Sequence, residues 1–278
     1  MTKSSKALQK MGPKVLIFDI ETAPLIINAW SLWDNFTPLN MMREDWFILS
    51  WAAKWLGDGP RKVMYEDMKD EIMVDNNSRD DLALLIGIRD LLDEADIVIT
   101  QNGKKFDAKK INARLVLNGL RKPSPYKHID TLQIAKAEFA FTSNKLEFMT
   151  DKLCVKYKKL KHGNFAGFDL WKECLLGNPK AWAEMKKYNK YDVLSLEELY
   201  MIIRPWFSKH PNFALYFNDD LRRCNVCGSA HLTADGHAYT NLSKFEKFKC
   251  DNCGASVRDR TSVTTKAKRA SLFMNVGK

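Results

Sequence analysis

Two carboxylates directly follow an uninterrupted apolar segment near the start of the chain. Residues 15–18 are Val-Leu-Ile-Phe, and Asp19 and Glu21 come next. A continuous apolar run of this kind predicts a strand buried on both faces of a sheet. Because alternate residues of a strand leave the same face, the two carboxylates share that face. Two adjacent carboxylates in a sheet interior call for a compensating cation, which favours a metal site. An Asp-x-Glu pair that simply marks a strand end remains the alternative at this point.

Apolar periodicity predicts alternating strands and helices up to Pro205. Ser78 or Asp80 is placed to cap the first helix, and Gly119 to end the second. Further strands are expected at 47–53, 62–65, 96–100 and 128–130, and helices at 80–92, 108–118, 132–139, 145–153, 179–187 and 193–203. Lys156–Gly167 is predicted to be a basic loop. The order of these elements indicates an α/β fold in which a mixed sheet is flanked by helices.

Five tryptophans lie close together in the first part of the chain. They could serve base stacking, but their density beside the early strands favours packing in the core and on the sheet. The five are Trp30, Trp33, Trp46, Trp51 and Trp55.

Two later segments also carry acidic residues. Asp107 follows the strand 96–100 and the pair Asn102-Gly103, at the turn where a helix begins. Ligands collect at the carboxyl ends of strands in α/β sheets, although Asp is equally suited to be a helix cap there. Tyr188 and Asp192 are four residues apart, so they share one face of a helix. Each pair alone is compatible with a structural role, but together their order favours one site.

These three segments resemble the motifs of the DEDD superfamily of 3′–5′ exonucleases, which have a ribonuclease H-like fold. Residues 18–22 (Phe-Asp-Ile-Glu-Thr) match the first motif, and residues 102–107 match the second. Residues 188–192 match the tyrosine version of the third, and the lysine at position 187 excludes the histidine version. The resemblance covers about residues 14–206 and is strongest to the proofreading domain of family B DNA polymerases and its free-standing bacterial and phage relatives.

The resemblance implies a two-metal site. Two Mg²⁺ or Mn²⁺ ions are expected to activate the attacking water and to stabilise the departing 3′ oxygen. Tyr188 is expected to orient that water, since an unperturbed phenol is a poor base at neutral pH. Asp130, which also follows a strand, is assigned a structural role. The expected metal ligands are Asp19, Glu21, Asp107 and Asp192, and the residues expected around the terminal nucleotide are Thr22, Asn102 and Phe106.

The last part of the chain contains two Cys-x-x-Cys-Gly knuckles. Cys224 and Cys227 form the first, and Cys250 and Cys253 the second. Four thiolates at this spacing predict one structural Zn²⁺ in a small zinc ribbon, with disulfides or a redox pair as the alternative. No His-x-Glu motif is present in this part of the sequence, which argues against a zinc deaminase. Surface positions are expected for His231 and His237, and buried inert thiols for Cys154 and Cys174.

Charge is concentrated near the cysteines. The chain has a formal net charge of +10, and from Leu221 onward 11 basic residues face 4 acidic ones. A basic module predicts a polyanionic partner. Arg222, Arg223, Lys247 and Lys249 are the predicted nucleic-acid contacts of the ribbon, and Phe245 and Phe248 serve either stacking or the ribbon's small core. The alternative is that the ribbon docks a replication or repair protein.

The sequence therefore predicts four segments: a flexible N-terminus (1–13), an exonuclease domain (14–210), a zinc ribbon (221–262) and a flexible basic tail (263–278). The predicted function is 3′–5′ exonuclease action on single-stranded DNA. A 3′–5′ exoribonuclease and a catalytically inactive zinc-ribbon adaptor are the alternatives. No apolar run reaches the roughly 18 residues of a membrane span, and no secretory signal is recognised, so a cytoplasmic location is expected. The resemblance implies a bacterial or phage-infected cell.

Overall fold

The structure is a computed structural model that describes residues 12–31, 33, 36–160 and 163–276. It divides into two compact units, one formed by Lys14–Tyr200 and the other by Met201–Lys278 together with Met1–Pro13. Most of the N-terminal segment predicted to be flexible lies outside the described residues. Among the helices that are described, none combines the length and apolar character needed to cross a lipid bilayer.

A five-stranded mixed sheet organises the larger unit. Strand β1 lies in the middle, antiparallel to β4 on one side and parallel to β6 on the other. The order across the sheet is β5-β4-β1-β6-β7. A separate two-stranded sheet pairs β2 with β3. The strands are β1 (Val15–Thr22), β2 (Ile26–Ile27), β3 (Met42–Glu44), β4 (Ile48–Trp55), β5 (Met64–Asp67), β6 (Ile97–Thr100) and β7 (Lys127–Asp130).

The central position of β1 follows from its sequence. All four residues of its apolar run are buried, because hydrogen-bonded neighbours flank the strand and packed side chains cover both faces. The strand then carries Asp19 opposite Ala52 and Glu21 opposite Ser50 of β4. The pairing shifts register between Glu21 and Thr22, where the strand leaves the sheet. The apolar half therefore anchors the strand, and its carboxyl end presents the acids.

Helices pack against this sheet, which confirms the predicted α/β fold with a mixed sheet flanked by helices. Helix α2 begins after Asp81 rather than at Ser78, and Asp80 accepts a hydrogen bond from the Leu82 amide at 3.1 Å. Gly119 has a φ of +67° and ends α3, as predicted. The helices are α1 (Lys69–Val74), α2 (Leu82–Glu94), α3 (Asp107–Leu117), α4 (Thr131–Glu138), α5 (Leu146–Leu153), α6 (Asp169–Leu175) and α7 (Pro179–Ile203).

Two sequence predictions about these elements were wrong, and several elements were not predicted. The two helical stretches expected at 179–187 and 193–203 form the single helix α7. Buried polar residues in its middle interrupt the apolar pattern without interrupting the helix. Strand β5 begins at Met64, because Lys62 belongs to a 3₁₀ turn. The strand pair β2–β3 and the helices α1 and α6 were not predicted at all.

The tryptophan prediction was correct in part. Trp51 is buried in β4, and Trp46 and Trp55 are half-buried. Trp30 and Trp33, however, are 90% and 87% exposed. They lie between β1 and β4 in an excursion that leaves the main sheet and forms only the short β2–β3 pair. Because that pair is so small, it offers no core in which these two rings can pack.

The C-terminal unit is built around a three-stranded antiparallel sheet of order β10-β9-β8. Its strands are β8 (Leu232–Tyr239), β9 (Lys244–Cys250) and β10 (Ser256–Ser262). Residues 211–221, which lie between the predicted exonuclease domain and the predicted zinc ribbon, contain a 3₁₀ turn, Phe213–Tyr216, with Phe213 buried. A short helix, α8 (Lys266–Ala270), lies within the segment predicted to be a flexible tail.

Candidate active site and cysteine cluster

Three of the predicted metal ligands come together at the carboxyl end of β1. Carboxylate oxygens of Asp19 and Glu21 on β1 and of Asp192 on α7 all lie within 4.8 Å of one another. We call these residues the carboxylate trio. Asp192 is buried, and the two strand residues are half-buried. The alternation of β1 places two acids on one face, and α7 delivers the third to the same face.

Asp107 lies beside the trio without belonging to it. It is the first residue of α3 and is 3% exposed. Its Oδ1 accepts a hydrogen bond of 3.2 Å from the amide of Ile20, the residue between Asp19 and Glu21. The fourth predicted ligand is thus tied to the strand that carries the first two.

The turn before Asp107 has a left-handed residue and a position with room only for glycine. Asn102 adopts a φ of +65°, and a Cβ on Gly103 would lie 2.2 Å from the Thr100 hydroxyl oxygen. Asp130 holds this turn by accepting hydrogen bonds from the amides of Asn102 at 2.9 Å and Lys104 at 3.2 Å. It also caps α4. These contacts agree with the structural role predicted for Asp130.

Repulsion and burial make the acids hard to ionise together. Burial, followed by repulsion from Glu21 and Asp107, raises the pKa of Asp19 well above its ordinary value. Burial and the charge of Asp192 raise the pKa of Glu21 to about 8, and burial raises the pKa of Asp107 to about 7. A divalent cation relieves this repulsion, and hard oxygen donors are the ligands that Mg²⁺ and Mn²⁺ prefer. The donor set therefore fits divalent cations of this kind.

Lys159 reaches the trio from a loop and was missed in the sequence. Its Nζ forms an ion pair with Asp192 Oδ2 and lies 4.3 Å from the centroid of the Tyr188 ring. Burial lowers the pKa of Lys159, but attraction to Asp192 and Tyr188 outweighs this effect and raises it. The residue stands in a run of lysines, so no local pattern distinguishes it from its neighbours.

Asn189 was also missed, although it lies inside the third motif. It is fully buried, and its Nδ2 donates a 2.7 Å hydrogen bond to Asp19 Oδ2. Its Oδ1 accepts a longer bond, 3.4 Å, from the Ser50 hydroxyl on β4. A signal was present in the sequence, because Asn189 is a polar residue on the apolar stripe of α7 that includes Met185, Val193 and Leu196. The amide fixes the side chain of a predicted metal ligand.

Tyr188 is buried next to the trio. Burial, followed by repulsion from Asp192, raises the pKa of its phenol. The Trp171 ring on α6 packs edge-on against Tyr188 with centroids 6.1 Å apart, and its side chain also hydrogen-bonds Glu21. Tyr188 is therefore a neutral hydroxyl group at physiological pH, held beside the carboxylates.

Two clefts hold two of the three residues predicted to contact substrate in this unit, Thr22 and Asn102. One, of about 440 Å³, is lined by Thr22, Trp46 and Trp171 among others. The other, of about 580 Å³, is lined by Asn102 and Lys159 together with Lys136 and Lys145. Phe106 lines neither cleft and is 40% exposed beside Lys110. The first cleft has aromatic walls, and the second is rich in lysine.

The four cysteines of the C-terminal unit form a second cluster. The Sγ atoms of Cys224, Cys227, Cys250 and Cys253, which we call the cysteine cluster, lie within 4.8 Å of one another. Cys224 and Cys253 are 3.7 Å apart, and Cys227 and Cys250 are 3.6 Å apart. A tetrahedron with Zn–S bonds of about 2.3 Å has sulfur–sulfur edges of about 3.8 Å, whereas a disulfide bond is about 2.05 Å long. The cluster thus suits zinc and contains no disulfide.

The knuckle glycines act on the backbone rather than on the sulfurs. Gly228 and Gly254 both have a φ of +77°, and each amide donates a 2.8 Å hydrogen bond to the carbonyl of the first cysteine of its knuckle. The Val226 amide approaches the sulfur of Cys224, at 3.4 Å. His231 and His237 are exposed, and Cys154 and Cys174 are buried free thiols, as predicted.

The predicted nucleic-acid contacts of the C-terminal unit lie in different surroundings. Arg222 pairs with Asp259 at 2.9 Å, and Arg223 hydrogen-bonds Asp219 with its Nε at 2.9 Å. Lys247 pairs with Asp235 at 3.1 Å. Lys249 is exposed. Phe245 is buried in this unit, and Phe248 is half-buried, which favours the core role for the first ring.

Comparison with known proteins agrees with the fold. Residues 59–204 match the model of the family described as the RNase_H superfamily, a range that includes Asp107 and Asp192 but not Asp19 and Glu21. No curated protein matches the sequence. Among solved structures, the chain is similar to the family B DNA polymerase from the hyperthermophilic archaeon Pyrobaculum calidifontis, with 17% identity and a TM-score of 0.47.

That similarity covers 70% of this chain but only 25% of the polymerase. The family match is the more informative result, because it extends over more than half of the 278 residues. It agrees with the mixed five-stranded sheet and with the metal-binding groups gathered at its centre. By this match, the chain belongs to the RNase_H superfamily and has a ribonuclease H-like nuclease fold.

Proposed function

We propose that this chain is a two-metal-ion 3′–5′ exonuclease that hydrolyses phosphodiester bonds at the 3′ end of single-stranded DNA. The observation that carries the proposal is the carboxylate trio, which β1 and α7 hold together with oxygens within 4.8 Å of one another. Asp107 is hydrogen-bonded to the Ile20 amide of β1, and Tyr188 lies on α7 one turn before Asp192. A ribonuclease H-like nuclease fold with such a cluster supports phosphodiester hydrolysis.

The proposed ligands of the two Mg²⁺ or Mn²⁺ ions are the trio and Asp107. When bound, the ions supply activation of the attacking water and stabilisation of the leaving oxygen. Tyr188 orients the water through its hydroxyl, because its raised pKa keeps the phenol protonated at neutral pH. Lys159 holds Asp192 by an ion pair, and Asn189 holds Asp19 by a hydrogen bond. Both contacts limit the directions in which the acids can point.

The two clefts support contact with a nucleotide chain. We assign Thr22 to the terminal nucleotide, because its cleft offers aromatic walls against which a base can stack. Asn102 lines the other cleft, whose lysines suit phosphates. Phe106 remains a predicted contact at the rim. In the C-terminal unit we propose one structural Zn²⁺ at the cysteine cluster and contact of the ribbon with nucleic acid.

The two alternative functions, an exoribonuclease and an inactive adaptor, differ from the proposed one in what they require of the site. A 3′–5′ exoribonuclease needs the same acids, and no described residue is assigned to a 2′-hydroxyl. A catalytically inactive adaptor binds nucleic acid or a replication or repair protein without hydrolysis, but such a role gives no reason to keep four acids together against their repulsion. The domain limits 14–210 and 221–262 and the cytoplasmic location stay predictions.

The test uses 5′-labelled single-stranded DNA and RNA of one sequence. Each is incubated with Mg²⁺, with EDTA and with the Asp19→Ala protein. A Mg²⁺-dependent ladder that shortens from the 3′ end on DNA, and is absent with the variant, supports the proposal. Faster shortening of RNA favours the exoribonuclease. Binding of either strand without shortening overturns the enzymatic function.

A further inference from the structure

The C-terminal unit contains a hollow of about 700 Å³ that the catalytic proposal does not use. Strands β9 and β10 form one side of it, and the segment leading into the first knuckle forms the other. We call it the ribbon hollow and define it by Arg222, Arg258, Arg260, Asn225, Phe245 and Phe248. All of these residues belong to one compact unit.

Two arginines of this hollow lie over phenylalanine rings of β9. The Arg258 guanidinium lies 3.9 Å from the centroid of the Phe245 ring, and the Arg222 guanidinium lies 5.3 Å from that of Phe248. A guanidinium that stacks on a ring keeps its planar outer face and its forked N–H donors accessible. Such a surface suits both stacking with a base and bidentate contact with a phosphate.

The arginines of the hollow differ in whether a carboxylate neutralises their charge. Arg222 pairs with Asp259 at 2.9 Å and with Glu246 at 3.4 Å. For Arg258 and Arg260, no carboxylate of the described residues lies within ion-pair distance, and both side chains are exposed. These two arginines therefore give the hollow its uncompensated positive charge.

A buried acceptor also lines the hollow. The side-chain Oδ1 of Asn225 is inaccessible to solvent, and no donor among the described residues reaches it. Its backbone carbonyl is already used by the Phe213 amide at 2.8 Å. Because this oxygen is closed to solvent, Asn225 forms part of the wall of the hollow and is not among the ligand contacts proposed below.

We propose that the ribbon hollow binds a short segment of single-stranded nucleic acid. Arg258 and Arg260 contact a phosphate, and a base stacks against Phe248 and Arg222. The inference deepens the proposed function, on which it rests, by giving the substrate a second anchoring site. The carboxylates of an acidic peptide could pair with the arginines but would not stack on the planar guanidinium and phenylalanine faces. A nucleic acid can do both, so it is the favoured ligand.

This assignment differs from the one made on the sequence. Lys247 and Lys249 carry the same charges but do not line the hollow, and Lys247 is already paired with Asp235. They provide a matched control, because removing either pair of residues changes the net charge of the unit by the same amount. The hollow predicts that position, rather than charge alone, decides affinity.

The experiment measures binding of 5′-fluorescein-labelled twelve-residue oligothymidylate and of a mixed-sequence oligonucleotide of equal length by anisotropy. It uses zinc-loaded full-length protein carrying Asp19→Asn, so that the strand is not cleaved. Arg258→Gln/Arg260→Gln is expected to weaken binding about tenfold or more and to lower the slope of log affinity against log salt by 1 to 2, as loss of about one or two phosphate contacts requires. Lys247→Gln/Lys249→Gln is expected to change affinity less than threefold.

Two further measurements keep the outcome interpretable. Zinc content reports whether each variant is folded, and Phe248→Leu tests stacking with no change of charge, with a loss of affinity of about threefold to tenfold at an unchanged salt slope. Equal losses for the arginine and lysine pairs overturn the proposal, as does an acidic peptide that binds through the arginines while oligonucleotide affinity stays unaltered. Hydrolysis of a trinucleotide by the same arginine variant with Asp19 restored tests the catalytic proposal separately. If neither the wild-type protein nor the arginine variant cleaves the trinucleotide, the proposed function fails whatever the binding result.

Discussion

The carboxylate trio and the cysteine cluster both gather metal-binding atoms within 4.8 Å, but they are assembled in opposite ways. The trio draws on a buried strand and on a helix that begins more than 150 residues later. The cysteine cluster draws on two tight turns that flank one small three-stranded sheet. In the first case a large core imposes the arrangement, and in the second the core is small.

The packing around each site shows the same contrast. Leu16, Phe18 and Ile20 beside the acids belong to an extensive buried core. The buried cluster around the cysteines consists of Val226, Ala255 and two of the cysteines themselves. A fold with an extensive core can hold like charges together without an ion, whereas a unit of this size needs the ion in order to fold. The predictions below test this difference, starting with the largest expected effect.

Removal of zinc is expected to unfold the ribbon sheet and leave the larger unit intact. Structural zinc contributes on the order of 10 kcal/mol to the folding of small modules, which is more than the ribbon core can replace. A zinc-selective chelator should therefore abolish the protection of the β8–β10 amides in hydrogen-exchange mass spectrometry, with the amides of β1 and β4 unchanged.

The Cys227→Ser variant should reproduce this result with substoichiometric zinc. Cys154→Ala, which removes a buried thiol outside the cluster, should keep full zinc content. Retained protection of β8–β10 after the zinc has left would show that the ribbon folds by itself, and the contrast between the two sites would disappear.

The Asp19→Asn substitution is expected to lower hydrolysis by on the order of 10³-fold or more, since a lost metal ligand removes several kcal/mol of transition-state stabilisation. The same change relieves repulsion from Glu21 and Asp107, so the metal-free variant should melt at a higher temperature than the wild type. Single-turnover rates and calorimetry measure the two effects.

Asp70→Asn is a matched control, because Asp70 is an exposed carboxylate on α1. Its activity and melting temperature should both equal those of the wild type. An Asp19 variant that retains more than a tenth of the activity would show that the trio is not the catalytic site.

A site could be predicted from the sequence to the extent that its residues form a short motif along the chain. Cys-x-x-Cys-Gly and Asp-x-Glu are patterns of a few residues, so the cysteine cluster and the strand-borne acids could be located before any fold was known. The partners that orient the acids could not be located in this way. Lys159 stands in a basic loop, and its contact with Asp192 depends on how that loop packs on α7.

The same limit explains the errors in the fold. The polar centre of α7 was interpreted as a break between two helices, although Asn189 and Asp192 are buried there because they belong to the site. The density of tryptophans beside the early strands predicts core or sheet packing for Trp30 and Trp33, but the excursion that carries them leaves the main sheet. In both places, tertiary position overrides what composition indicates.

A third prediction concerns pH. Because the pKa of Glu21 is raised to about 8 in the folded protein, the native state binds more protons than the unfolded state between the ordinary carboxyl range and pH 8. Without metal, stability should therefore fall as pH rises through this window. At about 1.4 kcal/mol per pKa unit, discounted for partial exposure, the loss is roughly 2 kcal/mol. Denaturant titrations between pH 6.5 and 8 measure it.

The Glu21→Gln variant tests this effect together with the repulsion that Glu21 exerts on Asp19. His128 and His210, whose pKa values burial lowers to about 4, act with the opposite sign below about pH 6.5 and are common to both proteins. The difference in stability between wild type and variant should widen with pH and close when Mg²⁺ is added. Parallel pH profiles in the absence of metal would contradict the prediction.

The smallest expected effect is the most specific test of how the larger unit prepares its site. Asn189→Ala removes the 2.7 Å hydrogen bond to Asp19 Oδ2 but leaves all four acids in place. Outer contacts of this kind are typically worth 10–100-fold in metal affinity or activity. We expect the Mg²⁺ concentration for half-maximal hydrolysis to rise about tenfold, with most of the rate recovered at saturating Mg²⁺.

Two matched variants separate positioning from general damage to the fold. Ser50→Ala, which removes the 3.4 Å contact with the Asn189 amide but leaves the Asn189–Asp19 bond in place, should shift the Mg²⁺ requirement less than threefold. Asn77→Ala, at an exposed position outside the helices, should shift nothing. A variant of Asn189 that melts earlier but keeps the wild-type Mg²⁺ requirement would assign the residue to packing alone. A higher Mg²⁺ requirement at an unchanged melting temperature means that the fold orients the Asp19 side chain before any metal binds. The cysteine cluster cannot orient its own ligands in this way, because its unit needs the ion in order to fold.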